Sequence, residues 1–475
     1  MKLFARPKHF SEATAMLTTL SCLLGLRVFD YPRGRSRPIL SLIYLLFLYI
    51  LCCNGTLRIQ EEYYANLKLM KLEYVLYKLM MYLFIVSVII KMLLGWWYTK
   101  KFKVCHKKIF EIDETLRQLG LRVNYERIYF ATIGILTAWI TFTLTVCTVI
   151  FIHLQINTDI FTAVYLVLEF TYSVTVNSIS VFEFNMFARY LKMKFELVNQ
   201  LLRESLTDPS IKEIKLGIFE MKDFCKIITA EQQKQVLSTR MILRRRQRKQ
   251  SRRNVSVSDK QDPGISHVES HFPSQVKEQL PSVPQNPSGR YSFAAKCQRR
   301  KHLLQVIKQV HLELCKVTKI VCTILGVQIA WEIGVIIIFL TGAVYNFYVR
   351  YVINQHRSLV GETFVLLTLC LIHIIKVISL IYVSRIAAEE GNRTIEIIRA
   401  IYDRDTDADM QEEIQQFGLQ ILQSPVTFSV YGLTLDNRVL SMVLKTVTIY
   451  MVIMAQVSNT LESNNAIKSA QFKEL

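Results

Sequence analysis

The chain has 475 residues, is 51% hydrophobic and has a mean hydropathy of +0.26, yet its formal net charge is +20. The apolar content excludes an ordinary soluble domain, and the charge excludes a uniformly apolar one. Both fit a polytopic membrane protein in which apolar spans alternate with basic segments.

In chain order, residues 1–38 form a basic N-terminal segment. Its mildly apolar stretch, 13–26, is interrupted by Thr and Ser and lacks a small-residue cleavage site, so no cleavable signal peptide is expected. A hydrocarbon core needs roughly 20 apolar residues per helix. Residues 39–204 hold the first four spans, at 39–53, 75–94, 128–152 and 160–188; the first is short. Residues 205–316 form a long basic loop with helical character at 193–206, 211–237 and 302–316. Its middle, about 244–289, is rich in Ser, Pro and Gln after the run "LRRRQRKQSRR" and is expected to lack structure. That run obeys a simple charge bias and interleaves no apolar residues, so a solvated segment is favoured over an anionic-lipid site. Residues 317–388 hold spans at 317–343 and 359–388, 389–438 form an inner segment, 439–457 the seventh span and 458–475 a tail.

Lys and Arg set the orientation. With the N-terminus inside, the four inner segments hold 7, 8, 26 and 5 basic residues and the four outer ones 3, 0, 2 and 2. The expected fold is therefore all-α with seven transmembrane helices, a cytoplasmic N-terminus and an extracellular C-terminus. That orientation is opposite to a G-protein-coupled receptor. The sequon at Asn54 falls outside and is a glycosylation candidate; those at Asn254 and Asn392 fall inside.

Within the spans, polar and aromatic residues interrupt apolar runs at Trp139, Tyr165, Glu169, Tyr172, Trp331, Glu332, His373 and Lys376. Aromatic clefts with a few polar groups suit amphipathic small molecules, and intramembrane charges mark functional sites. Ordinary packing, with Glu332 or Glu169 paired to Lys376, is the alternative. In the seventh span, about 100° per residue places Ser441, Lys445, Thr448, Gln456 and Asn459 along one stripe, interrupted by Ile449 and Val452. Tyr450 falls on the other half. Pattern alone leaves two readings open: a stripe packed on helices of the same chain, or the lining of a pore shared between subunits.

The chain's last hundred residues carry a resemblance. Ala387–Ile398 reads AAEEGNRTIEII; Phe428-Ser429-Val430-Tyr431-Gly432 follows; then come Tyr450, five apolar residues and Gln456. This resembles the insect gustatory receptors and the related odorant receptors, whose chains end in a short inner helix of Phe-Ser/Thr-Ala-x-Gly type and a last span with Thr-Tyr, five apolar residues, Gln and Phe. Two positions depart: Ile449 stands where the family has Thr, and Val457 where it has Phe. The resemblance implies a ligand-gated, non-selective cation channel, a tetramer whose last span lines the pore and whose anchor is cytoplasmic. On that reading Gln456 supplies a carboxamide ring, Val452 an apolar constriction, and Tyr450, Asn459 and Lys445 share the pore helix. The ligand pocket would draw on Trp139, Tyr165, Glu169, Tyr172, Trp331, Glu332 and His373. The implied ligands are small-molecule tastants of the bitter or aversive branch, with sugars or contact pheromones as alternatives. The implied partners are other gustatory receptor subunits and membrane lipid, in the plasma membrane of gustatory neurons. The two departures point to a subunit of mixed channels.

Catalysis has no support: no phosphate loop, metal spacing, cofactor motif or nucleophile setting occurs, and no nucleic-acid partner is expected. A secondary transporter would show internal repeats with broken helices, and none is seen. The ten cysteines have no metal spacing and are expected to be free thiols.

Overall fold

The structure, a computed structural model, describes residues 7–28, 38–59, 71–121, 124–155, 159–207, 287–352, 360–403 and 408–471. In chain order its elements are α1 (Phe10–Ala13), α2 (Ala15–Leu23), α3 (Pro38–Ile59), α4 (Lys71–Gln118), α5 (Glu126–Gln155), α6 (Ile160–Thr207), α7 (Pro287–Val352), α8 (Val360–Tyr402), α9 (Ala408–Gln423), β1 (Ser429–Val430), β2 (Leu433–Thr434) and α10 (Asn437–Gln471). The chain divides into two compact units, Met1–Lys212 with Gln298–Leu475, and Glu213–Cys297. The described part of the second is the start of α7. Most of the stretch expected to lack structure, and the expected helix at 211–237, lie outside the described residues; α7 begins at Pro287, just inside the former.

Six helices, α4 to α8 and α10, are long and apolar enough to cross a membrane, and α3 carries a shorter apolar run, Ile39–Leu51. This is the expected all-α, seven-helix arrangement with the first span shortest. The spans continue without a break into the basic segments. α4 and α6 have 48 residues each and α7 has 66, so at 1.5 Å per residue they reach about 70–100 Å, against a hydrocarbon core of about 30 Å. Helix continues because the apolar pattern narrows to a stripe and does not stop. In α4, Cys105, Ile109, Ile112 and Leu116 are buried at spacings of four and three, with charges between them.

These extensions form a packed basic end. Phe10 from α1 sits 4.6 Å from the Tyr190 ring and 5.3 Å from Phe187. Beside them Asp113 accepts from Tyr190 Oη at 2.9 Å and from Tyr125 Oη, and pairs with Lys194 Nζ at 2.5 Å. Burial, with the neighbouring Asp113 carboxylate, holds the Tyr125 phenol well above its ordinary value, so it stays a donor. On α9, Met410, Ile414, Phe417 and Ile421 make one buried face at helical spacing.

The N-terminal segment hooks back into the bundle. Ser21 Oγ donates to Glu183 at 2.6 Å, Arg27 pairs with the same carboxylate at 2.5 Å, and the Arg27 guanidinium lies 3.4 Å from the Phe102 ring centroid. The backbone approach is close: a Cβ on Gly95 would stand 2.0 Å from the Leu26 carbonyl oxygen, so only glycine fits there. A cavity of about 20 Å³, room for about one water, lies between Arg27, Gly95, Phe102, Glu183 and Gln328.

One expectation is corrected. The segment before the last span is a two-stranded antiparallel hairpin, β1 paired with β2, and not a short helix. Tyr431 and Gly432 both take positive φ, 50° and 82°, the conformation a two-residue hairpin turn requires and a helix excludes. Asp436 then accepts from the Arg438 backbone N–H at 2.8 Å and opens α10. That helix runs to Gln471, well beyond the expected span end at 457.

Candidate functional site

Charges on three spans meet in the bundle. Lys91 on α4 donates to Glu332 Oε2 on α7, and Lys376 on α8 donates to Glu332 Oε1 at 3.1 Å. Side-chain exposure is 0% for Lys91 and Glu332 and 4% for Lys376. Lys91 also donates to the Asn177 backbone carbonyl on α6 at 2.6 Å, and Ser87 Oγ donates to Asn177 Oδ1 at 2.6 Å. A lone Glu in an apolar helix has nothing to pair with on its own helix. Stability therefore requires neighbours to bring cations, and four helices are tied at one level.

Aromatic rings adjoin the charges. The Lys376 ammonium lies 5.9 Å from the Trp139 ring centroid, and Trp139 Nε1 donates to Thr175 Oγ1 at 3.3 Å. His373, one turn from Lys376, has its ring 4.6 Å from that of Phe339. Among the described residues, the buried polar atoms without a hydrogen-bond partner include Asn177 Nδ2, His373 Nδ1 and Trp331 Nε1. An arrangement of paired charges, unsatisfied polar atoms and rings can hold a small amphipathic molecule by hydrogen bonds and stacking.

Of the residues singled out by sequence, Trp139, Glu332 and His373 come together around Lys376. Trp331 follows the helix round, about 100° from Glu332. Tyr165, Glu169 and Tyr172 share another face of α6, about 80–140° from Asn177 around the helix. There Tyr165 Oη donates to the Leu51 carbonyl at 2.6 Å, Ser173 Oγ donates to Glu169 at 3.0 Å, and Tyr172 Oη donates to the Leu24 carbonyl at 3.1 Å. The two tyrosines fasten α3 and the N-terminal hook. Lys91 and Asn177 were missed. The signal for Lys91 was present, an ammonium inside the apolar run 75–94; Asn177 had no comparable mark.

The last span packs by a narrow face. Val443, Val447 and Ser458 are buried, and Tyr345 Oη donates to Ser458 Oγ at 2.9 Å. Counting about 100° per residue from Val443, Val447, Met454 and Ser458 fall within about 60° of it. Lys445, Thr448, Val452, Gln456 and Asn459 fall between about 140° and 220°, on the side turned away from the protomer. All five are exposed, Val452 by 46%; Tyr450 is 53% exposed. The polar stripe therefore does not pack on the protomer's own helices. Asn54 is exposed on the closing turns of α3, which the structure carries on to Ile59.

A polar clamp joins the charge cluster's helix to this one. Asn392, two turns before the end of the AAEEGNRTIEII stretch, accepts from Val426 N–H at 2.8 Å and donates to the Val426 carbonyl at 3.0 Å. Beside it Asn199 Nδ2 donates to the Glu390 carbonyl at 2.8 Å, and Thr394 Oγ1 donates to Asn199 Oδ1 at 2.6 Å. Val426 leads directly into β1 and α10, so the Asn392 side chain helps α8 position the last span. Asn392→Ala is expected to cost about 1–3 kcal/mol by orphaning two backbone groups. Thermal unfolding of the purified chain checks the loss, and Asn392→Asp, which keeps only the acceptor, should fall between.

A sequence profile of the family described as 7tm Chemosensory receptor matches residues 16–249 and 267–460. The fold is similar to that of the insect olfactory receptor OR5 from Machilis hrabei, solved in complex with eugenol. The TM-score is 0.50 at 10% sequence identity, over 94% of this chain and 99% of that one. No curated protein sequence matches the chain.

Proposed function

The chain belongs to the 7tm chemosensory receptor family, and from that premise we propose that it is a gustatory receptor subunit of a ligand-gated, non-selective cation channel. It is a multi-pass membrane protein by its apolar helices and its family. The observation that carries the channel reading is the outward polar face of α10. Lys445, Thr448, Gln456 and Asn459 point away from the protomer's own packing. Polar residues facing lipid are costly, so a helix that turns such an edge outward calls for a partner surface or water. Copies of α10 around an axis supply both, with Gln456 as a carboxamide ring and Val452 as an apolar constriction.

The ligand site is the Lys91–Glu332–Lys376 cluster with Trp139 and His373, and α8 carries its state to Asn392 and so to the pore helix. The receptor solved with eugenol shares the fold, and a small aromatic ligand suits the rings here. Ile449 and Val457 replace the family's Thr and Phe in the last span, which favours work in mixed tetramers with sister subunits over conduction alone. The bitter or aversive branch is the reading for tuning, and gustatory neuron plasma membrane for location, with the N-terminus inside.

Recording currents from the chain alone, then with sister subunits, against a panel of bitter compounds tests this directly. With the proper partners, Gln456→Ala should change conductance or ion selectivity by about twofold or more, since it removes a polar ring at the constriction. Unchanged currents across several agonists would remove Gln456 from the pore. Epitope tags at the two termini, read with and without permeabilisation, check the orientation; an N-terminus outside would end the channel reading.

A further inference from the structure

Among the described residues, each buried carboxylate has one cation except at one place. Among the described residues the buried carboxylates are Asp113, Glu183 and Glu332. Asp113 takes Lys194, and Glu183 takes Arg27. Glu332 takes both Lys91 and Lys376, so this cluster holds one ammonium more than it holds carboxylates. A buried cation without its own counter-charge is far costlier than a neutral group of the same size. Two of the unpartnered buried atoms belong to this same cluster. Asn177 already holds Lys91 and Ser87 through its oxygens and has Nδ2 left over; His373 has Nδ1 left over one turn from Lys376. An amide N–H donates, and an imidazole nitrogen donates in one tautomer. Together with an ammonium, these are the groups from which the two oxygens of a carboxylate accept. The Trp139 ring beside Lys376 and the Phe339 ring beside His373 supply flat apolar walls.

We propose that the cluster binds a small aromatic carboxylate, whose negative charge is the one that the Lys91–Glu332–Lys376 group lacks. Its oxygens accept from Lys376, Asn177 and His373, and its ring lies against Trp139 and Phe339. The inference rests on the cluster's being the ligand site, and it narrows the ligands from amphipathic molecules in general to organic acids. Binding divides Lys376 between Glu332 and the ligand, which loosens the tie between α7 and α8, the helix that ends on the Asn392 clamp.

The test is titration of the full-length chain in lipid nanodiscs with sodium benzoate and with benzamide, its neutral near-isostere. Tryptophan fluorescence and the unfolding temperature are the readouts. Benzoate is expected to bind about thirtyfold tighter or more, the low side of what losing one partner of a buried charge pair costs. Lys376→Met should abolish that preference, and Lys376→Arg should keep it. The Met variant leaves Lys91 and Glu332 as a balanced pair and is expected to fold; should it not, the two titrations of the unaltered chain decide alone. Equal affinities, no binding of either compound, or a preference that survives Lys376→Met each overturn the proposal. No current is measured, so a chain that binds benzoate but never conducts removes the channel reading alone. A chain that conducts but ignores benzoate removes this one alone.

Discussion

Alanine at Glu332 is expected to destabilise the chain more than any other single substitution in the spans. It removes the one carboxylate shared by Lys91 and Lys376 and leaves two ammonium groups in a site with at most 4% side-chain exposure. Breaking a buried pair from one side costs about 3–5 kcal/mol, because the surviving charge is uncompensated. Here two charges survive, so the loss should lie at the upper end, and the lysines should shed it only by losing protons or drawing in water. The hydrogen bond that Lys91 makes to the Asn177 carbonyl does not replace the lost charge. Fluorescence-detected size exclusion and thermal unfolding of the purified chain would show little folded material for Glu332→Ala. Glu332→Gln keeps the shape and one acceptor and should lose nearly as much, which separates charge from volume. The triple change Lys91→Met, Glu332→Leu, Lys376→Met should recover most of the folded yield, since apolar residues of similar size often replace buried ion pairs without loss. A Glu332→Ala chain as stable as the parent would show that the lysines are already neutral and that the cluster is not held by charge.

Asp113→Ala is the second large effect, and it acts at the basic end. Asp113 is the carboxylate paired with Lys194, which is fully buried, and it also accepts from Tyr125 and Tyr190. Both phenol rings lie close to the ammonium, at 5.1 and 5.2 Å from their centroids. Those contacts attract a cation, but each is worth only about 0.5–2 kcal/mol and does not replace a counter-ion. A loss of about 3–5 kcal/mol is therefore expected, with the α4–α5–α6 junction loosened and surface delivery reduced. Adding Lys194→Met to Asp113→Ala should restore stability more than Lys194→Met costs by itself. Simple additivity in that double-mutant cycle would count against a coupled pair. The expected damage to the ligand response is small, because the junction lies beyond the spans and touches neither Glu332 nor Lys376.

The outline of the bundle was legible because membrane insertion is local physics. Apolar runs such as 128–152 and 317–343 satisfy their backbone within one helix and need no distant partner to declare themselves. The polar edge of the last span was legible for the same reason: Lys445, Thr448, Gln456 and Asn459 fall into register at 3.6 residues per turn whatever surrounds them. The family resemblance was carried by short motifs, and the profile match over 16–249 and 267–460 extends it to most of the chain. Less legible was the hairpin before α10. The short helix expected over Phe428–Gly432 rests on the resemblance, and only the positive φ of Tyr431 and Gly432 decides against it.

Sequence by itself determined which segments enter the membrane, which end is basic, and which residues on each helix stand together on a face. Tertiary structure alone decided what those faces meet. It chose Lys91 as well as Lys376 for Glu332, although α4 lies far from α7 along the chain, and it turned Tyr165 and Tyr172 towards α3 and the N-terminal hook. It also left the polar edge of α10 outside the protomer. The reason is the range of the forces. Helix formation and hydrocarbon burial are settled within a few turns of one segment, whereas a buried charge is satisfied by whichever helix packing brings within about 3 Å, and no periodicity in a single segment encodes that neighbour.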